Sequence, residues 1–343
     1  MNATPLAIRC TGLVTSVGLT APASCAAFRA KLSNPTETRF IDSAGEWVMA
    51  HQVELEKPWR GLAKLAKMAA LAIDEALHEV PTDQWHTVPL LLCVAETDRP
   101  GRTERLDIAL LPMIEAELGV RFAEQSAVVA HGRVSVAVAL AGARKLLSEG
   151  PARRVLVAAA DSYLNWETLR QLEEEDQLLT SENSDGFIPG EGAGALLVEK
   201  AHDLAGPLTC IGIGFGIEAA HAASERPLRA DGLCKAVTQA LGDAACEMRD
   251  LHFRIADISG QQYYFKESSL LLSRLVRHRP ECFDLWHPAE CAGEQGAVAG
   301  VSIIALAHAA SSKQFALGPG ILAHMANSAG QRAALTLRCT STR

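Results

Sequence analysis

The sequence predicts a layered α/β protein, with helices trapped between two sheets. Three observations carry this. Short apolar segments of strand character alternate with helical ones along the chain. Two helical segments, "RVSVAVALAGARKLLSEG" and "GEQGAVAGVSIIALAHAA", are apolar nearly all round, the first over its N-terminal half. Such helices must be enclosed on every face. One falls in each half of the chain, so each half contributes one helix to a shared interior.

The elements follow in order. "LAIRCTGLVTSV" reads as a strand running into a loop, and "PASCAAFRAKLS" as the helix after it. "RGLAKLAKMAALAIDEALHEV" is the clearest helix, with Leu62, Leu65, Ala69, Ile73, Ala76 and Val80 at helical spacing. "VPLLLCVAE", "RRVLVAAAD" and "GALLVEK" are buried strands, and Gly150 closes the enclosed helix between the first two. The second half repeats the order less cleanly. "GPLTCIGIGFGIEAA" is a Gly-broken strand, "GLCKAVTQALGDAACEM" an amphipathic helix, "RIADISGQQ" a strand and "KESSLLLSRLVRH" a helix. The second enclosed helix follows, and "RAALTLRC" is the last strand. "EEEDQLLTSENSDG" is acidic and reads as solvated surface.

Composition narrows the function. The chain has 343 residues, 48% hydrophobic and 21% charged, with a net charge of −8. It has no basic block, which argues against nucleic acid as a partner. Nine cysteines are irregularly spaced with no CxxC pair, so they read as reduced, mostly buried thiols of a cytoplasmic protein, without a metal framework. The N-terminus has no secretory pattern, and no apolar run is long enough to span a bilayer.

"SDGFIPGEGAGALLVEK" is the most informative stretch. A phosphate-binding glycine loop leaves a strand and opens a helix. Here the glycines precede a strand, no Gly-Lys-Ser/Thr is present, and Glu191 would repel a phosphate. The stretch therefore reads as a turn delivering a core strand.

At "TGLVTSVGLTAPASCAAFRAKLS", "ARKLLSEGPARRVLVAAADS", "DGFIPGEGAGALLVEKAHD", "GEQGAVAG" and "NSAGQRAALTLR" the chain resembles the β-ketoacyl-(acyl carrier protein) synthase family of the thiolase fold. The resemblance implies a five-layered α-β-α-β-α sandwich of two pseudo-repeated halves, 1–205 and a shortened 206–343. It implies no cofactor. Asp185, Gly190, Glu191, Gly192 and Gly194 form the structural signature, with Glu191 anchoring backbone N–H groups. Sheet continuation through "RRVLVAAADS" implies a homodimer, or a heterodimer with a related synthase. Acyl carrier protein or another protein is a further implied partner.

The family's chemistry needs a Cys at the N-terminus of the first enclosed helix, two His, and an oxyanion hole. Spacing from Gly150 places Arg133 at the Cys position, or His131 with a small shift, and no cysteine lies between Cys93 and Cys210. Ser126 and Ser135 are the nearest hydroxyls, and Ser135 reads as core filler. Ser259 stands at the first His position and Glu290 at the second. The family's Lys falls near Leu285 and Trp286, and its C-terminal Gly-rich gate is reduced to "NSAGQR". The reading is a non-condensing partner, scaffold or acyl-binding protein. The alternative is an active 3-oxoacyl-(acyl carrier protein) synthase or acyltransferase of fatty acid or polyketide biosynthesis using an atypical residue such as Cys291 with His287. Glu290, or failing that Glu294, is expected to pair with Arg133 or His131.

Overall fold

The computed structural model describes residues 4–201, 208–277 and 282–339. Its first half runs β1 (Leu6–Val14), α1 (Ala21–Ala30), β2 (Thr36–Ile41), β3 (Trp47–Ala50), α2 (Gly61–Ala76), β4 (Leu90–Cys93), α3 (Leu106–Leu118), β5 (Ala127–Val129), α4 (Ser135–Glu149), β6 (Arg154–Ser162), α5 (Trp166–Glu174) and β7 (Glu191–Lys200). The second half runs β8 (Leu208–Ile217), α6 (Asp231–Asp243), β9 (Phe253–Ala256), α7 (Gln262–Leu275), β10 (Leu285–Trp286), α8 (Ala289–Ala292), α9 (Ala299–Ser312), β11 (Gly320–Ala326) and β12 (Gln331–Cys339).

Local chemistry sets several of these boundaries. Thr20 caps α1 by accepting the Ala23 N–H at 3.3 Å, with Pro22 in the first turn. Asn165 caps α5 by accepting the Thr168 N–H at 2.9 Å. β4 and β6 are covered on both faces, so their sequences are continuous apolar runs rather than alternating ones.

The sheet order is β5-β4-β6-β7-β1 in the first half and β10-β9-β11-β12-β8 in the second. The two orders are the same, and so are the strand directions. β4 is parallel to β5 and β6, as β9 is to β10 and β11, while the remaining neighbours are antiparallel. The second half therefore keeps every strand of the repeat. The boundary expected at 205/206 lies outside the described residues. The halves join where Leu6–Ile8 of β1 pairs with Leu208–Cys210 of β8.

α4 and α9 lie between the two sheets, in a core shared with Leu13, Val157, Leu196, Phe253 and Leu335. α2 and α3 cover the outer face of the first sheet. α6 and α7 cover that of the second. The result is the expected five-layered α-β-α-β-α sandwich, thiolase-like in its plan. Enclosure of α4 and α9 follows from their sequences, since each fully buried Val, Leu or Ile stabilises the fold by about 1.5–3 kcal/mol.

Two expectations need correction. β6, the segment "RVLVAAADS", is no sheet edge: it is paired with β7 along its length and with β4 on its other side. The edge strand is β5. The glycines of "GEGAG" also lie mostly within a strand, because β7 starts at Glu191. A Cβ on Gly194 would come 2.5 Å from Val301 Cγ1 of α9. Glycine here lets the enclosed helix touch the strand backbone.

Gly194→Ala should therefore lose about 1–3 kcal/mol by overpacking, measured by urea unfolding. Gly242→Ala is the control. Its added methyl meets nothing within 4 Å, so this helical replacement should be neutral or stabilising by up to about 1 kcal/mol.

Candidate functional site

The two enclosed helices begin at the same place. Each is preceded by a single tight turn, Gly132–Val134 before α4 and Gly296–Val298 before α9. Gly132 has φ +53° and Gly296 φ +56°, a left-handed geometry that favours glycine. Acids from the strand ends press against both turns. A Cβ on Gly132 would lie 2.2 Å from Glu96 Oε2, and one on Gly296 2.1 Å from Asp161 Oδ2. Glu96 follows β4, Asp161 ends β6, and Asp257 follows β9.

Arg133 occupies the centre. It is buried, and its Nη1 donates to Glu294 Oε2 at 2.6 Å. Its Nε lies 3.2 Å from Asp257 Oδ2 and donates to the Ala326 carbonyl. The guanidinium sits over the Tyr264 ring at 4.5 Å. Glu294 is fully committed. Its Oε2 also accepts from Ser259 Oγ at 2.8 Å, and its Oε1 accepts the Gly296 N–H at 2.9 Å. A second buried group stands beside it. Arg99 donates to Asp161 at 2.7 Å and to both oxygens of Glu96, and its guanidinium lies over Tyr163 at 4.2 Å. Asp161 in turn accepts the Ala297 N–H at 2.8 Å.

Burial opposes the charge on both arginines, but the adjoining carboxylates outweigh it and hold both well above their ordinary values. Burial pushes Asp257 up to about 6, against the pull of Arg133. Burial also raises Asp161, whereas at Glu96 the nearby Arg99 wins over desolvation and lowers it.

The sequence-derived candidates fall into three groups. Arg133, Ser259 and Glu294 meet. Glu290 does not join them: it is exposed on α8, and among the described residues its ion pair is with Lys31, at 3.7 Å. Its expected partnership belongs to Glu294, because α8 ends at Gly293 and the chain turns inward there. His131 lies at the turn before α4, where its backbone N–H donates to Ser135 Oγ at 2.9 Å. That bond, and those from Ser135 Oγ to the Val129 and Val94 carbonyls, give Ser135 a role in the bend at the α4 entrance. Ser126 Oγ instead accepts the Leu90 N–H. Cys291 is buried in the shared core, where burial first and then Glu290 push its thiol up to about 11. His287 packs edge-on against Phe265, and desolvation lowers its basicity.

The signature residues tie backbones together. Glu191 is buried and accepts from the Val53 N–H at 3.0 Å, Ser162 Oγ at 3.1 Å and Lys64. Asp185 accepts the Gln262 N–H at the start of α7, at 2.6 Å. The Gly190 N–H donates to the Glu294 carbonyl at 2.9 Å. Gly192 leaves room for the Val14 carbonyl. Glu96, Arg99, Asp161 and Asp257 carry no motif in the sequence. Their one signal is position, as charges at the C-terminal ends of apolar strands.

A cavity of about 80 Å³ opens beside Glu96, Arg99, Arg133, Tyr163, Tyr264 and Glu294. It is well below the ~300 Å³ at which small-molecule pockets begin. Among the described residues no group of three His, Cys, Asp or Glu can hold a metal ion. A guanidinium pinned between carboxylates is neither base nor nucleophile. The arrangement fixes charge and supplies no activated nucleophile.

The sequence profile of the β-ketoacyl synthase N-terminal domain matches residues 128–203, from β5 through β7. The ketosynthase–chain length factor complex of Xenorhabdus doucetiae contains a chain similar in structure, with a TM-score of 0.80 and 11% identity, covering 98% of each chain. The chain has the thiolase-like ketosynthase fold. The ishigamide ketosynthase/chain length factor aligns with a TM-score of 0.79 and 18% identity, over 99% of this chain and 100% of that one. A type II polyketide synthase acyl-carrier protein in complex with its ketosynthase gives 0.81 and 14%, over 98% and 100%. No curated protein matches by sequence. Within this ketosynthase fold the matched segment holds Arg133, Asp161 and Glu191.

Glu294→Gln should cost about 3–5 kcal/mol, because it leaves the buried Arg133 guanidinium with only its longer ion pair to Asp257. Replacing both Arg133 and Glu294 by apolar residues of similar volume should recover part of the loss, since Asp257 then loses its cation. Urea unfolding of the parent, single and double variants measures both.

A second expectation concerns pH. His51 is buried beside the Gly190 turn, with its N–H on the Pro189 carbonyl and Nδ1 3.2 Å from Ser16 Oγ. Burial alone lowers it from 6.5 to about 4. The unfolded chain therefore binds the proton first, and stability falls as pH drops below 6.5. Asp257 acts in the opposite sense, since its raised value makes acidification through 6 favourable. His51→Gln should remove about 2 kcal/mol of the stability lost between roughly pH 7 and pH 5. A pH series of unfolding curves checks this.

Proposed function

We propose that this chain is a non-condensing ketosynthase homologue that works as the protein partner of a related ketosynthase, in fatty acid or polyketide assembly. One observation carries the reading: the entrance of α4 holds the buried Arg133–Glu294 ion pair. A thiolate there would need the helix N-terminus free of a competing ion pair, and the candidate thiol, Cys291, is pushed up to about 11 by burial and then by Glu290. Two of the similar structures contain a ketosynthase with a chain length factor, which supports a pairing role. The small central cavity supports partnership over storage of an acyl chain.

The pairing surface is the β5 edge. Among the described residues no strand continues the sheet beyond β5, and Val128 and Val129 are partly exposed there. An apolar edge of this kind invites sheet continuation. The nine free cysteines, of which Cys282 alone is exposed and Cys246 half-buried, favour a reducing compartment, the cytoplasm. No helix among the described residues is long and apolar enough to cross a membrane.

The test is radiolabelled acyl transfer from acyl carrier protein, with the labelled residue located by mass spectrometry. No acyl thioester should form on any cysteine. Stoichiometric acylation of Cys291 would replace this reading with the acyltransferase alternative, in which His287 is the base. In parallel, Val128→Lys should shift the dimer toward monomer by at least about tenfold in dissociation constant, read by light scattering. A monomeric parent at micromolar concentration would remove β5 as the pairing surface.

A further inference from the structure

A second hollow lies at the far end of α9. Cys25, Ala26, Arg29 and Ala30 line it from α1, and Ala309, Lys313 and Phe315 line it from the end of α9 and just beyond. Its volume is about 280 Å³. Small-molecule pockets begin at ~300 Å³, so this hollow comes close to ligand size where the central cavity does not. Ala309 is ten residues from Ala299, the start of α9, so the hollow lies about 15 Å along the helix from the Arg133–Glu294 centre. Small side chains make the space. Ala26 and Ala30 are one turn apart on α1, and Ala309 stands on the helix packed against it, so the gap between the helices stays open. Phe315 forms a wall, and Trp286 backs it with ring centres 6.2 Å apart.

Charge selects the occupant. Among the described residues, Arg29 and Lys313 are the charged groups that line the hollow, and neither forms an ion pair. The Arg29 guanidinium lies over the Phe315 ring at 4.5 Å. Burial pushes the Cys25 thiol up to about 12 and Lys313 pulls it back, so the Lys313 charge bears on the same space. The nearby acids are committed: Glu290 pairs with Lys31, and Glu75 accepts the Leu13 and Ala21 N–H groups. In a chain of net charge −8, this is a cationic spot with no carboxylate in its lining. α1 and α9 both end here, and each C-terminus acts as about half a negative charge. Two cations and two such ends leave about one positive charge, the match of a single anionic group. A neighbouring hollow of about 460 Å³ shares Cys25, Ala309 and Lys313 and also meets Glu75 and Glu79. A second anionic group on the same ligand would run into those acids.

We propose that the α1–α9 hollow binds a small amphipathic monoanion, its carboxylate held by Arg29 and Lys313 and its short aliphatic body lying against Ala26, Ala30 and Phe315. A guanidinium can give a carboxylate two parallel N–H bonds, and the Lys313 ammonium adds a point charge. Neither β5 nor the α4 entrance contributes a residue to the hollow, so its occupancy does not depend on the pairing role.

The test is calorimetry on the full chain with octanoate as the probe. Octylammonium, 1-octanol, acetate and the dicarboxylate suberate are the comparisons. One octanoate per chain should bind, at least about tenfold tighter than any of them. Rising salt should weaken octanoate binding. Arg29→Gln with Lys313→Gln should weaken octanoate by at least about tenfold and remove that salt dependence. Ala30→Leu should weaken octanoate with the salt dependence unchanged, because leucine fills the hollow. All three positions are exposed, so the variants should unfold at the parent's midpoint, and Lys313→Gln alone serves if the double variant does not fold. Absence of saturable binding by millimolar octanoate overturns the proposal. So does a comparison ligand that binds as tightly as octanoate, octanoate affinity that the charge replacements leave unchanged, or tighter binding of an acidic amphipathic helical peptide that the same replacements abolish. Val128→Lys should leave octanoate affinity unchanged, which separates failure here from failure of the β5 edge.

Discussion

The centre of the molecule depends on one buried guanidinium. Arg133 links the entrance of α4 to Glu294 before α9, to Asp257 after β9 and to the carbonyl of Ala326 at the end of β11. Those contacts join the two halves at the point where both enclosed helices begin. A buried ion pair of this kind adds little net stability over apolar packing, but losing one member is expensive. Its value lies in geometry. It holds two loops and a strand end in one arrangement.

Much of the fold is legible because burial writes directly on sequence. α9, and α4 over its N-terminal half, are apolar all round since they are enclosed, and β4, β6 and the later part of β7 are continuous apolar runs since both sheet faces are covered. The elements with weak signals have physical reasons. α3 contains Pro112 and has little polar face. β11 sits between the Gly318-Pro319-Gly320 run and a turn at Asn327, so it is short and punctuated. The β2–β3 hairpin exposes tryptophan and methionine, which blurs the alternation a half-buried strand should show. Edge and centre are topological properties, and "RVLVAAADS" reads the same in either place. β6 proved central for that reason.

The site was legible in part. Arg133 and Ser259 follow from spacing within a resembled pattern, and Glu294 was within reach as the second choice over Glu290. The difference between the two acids is a single short helix, α8, which directs Glu290 outward before Gly293 turns the chain in. Glu96, Arg99, Asp161 and Asp257 lie on separate strands and loops, and only the parallel register of β4 with β6, together with the meeting of the two halves at the α4 and α9 entrances, brings them together. Nothing local marks them.

The charges of this centre close on themselves once the helices are included. Two arginines face four carboxylates, Glu96, Asp161, Asp257 and Glu294, so the side chains alone leave an excess of two negative charges. The N-termini of α4 and α9 both point here, and each helix end acts as about half a positive charge. Asp161 and Glu294 accept N–H groups at the α9 entrance, which is the direct form of that interaction. About one negative charge then remains. Asp257 has the weakest hold on a cation, 3.2 Å from Nε rather than the 2.6–2.7 Å of the Glu294 and Asp161 contacts. It is also the carboxyl pushed up to about 6. Acidification through about 6 would protonate this loosely paired carboxyl and remove the residual charge. The same bookkeeping explains why Arg133 is tolerated at a helix N-terminus, the wrong end of the dipole for a cation: the acids that surround it are the groups that end prefers.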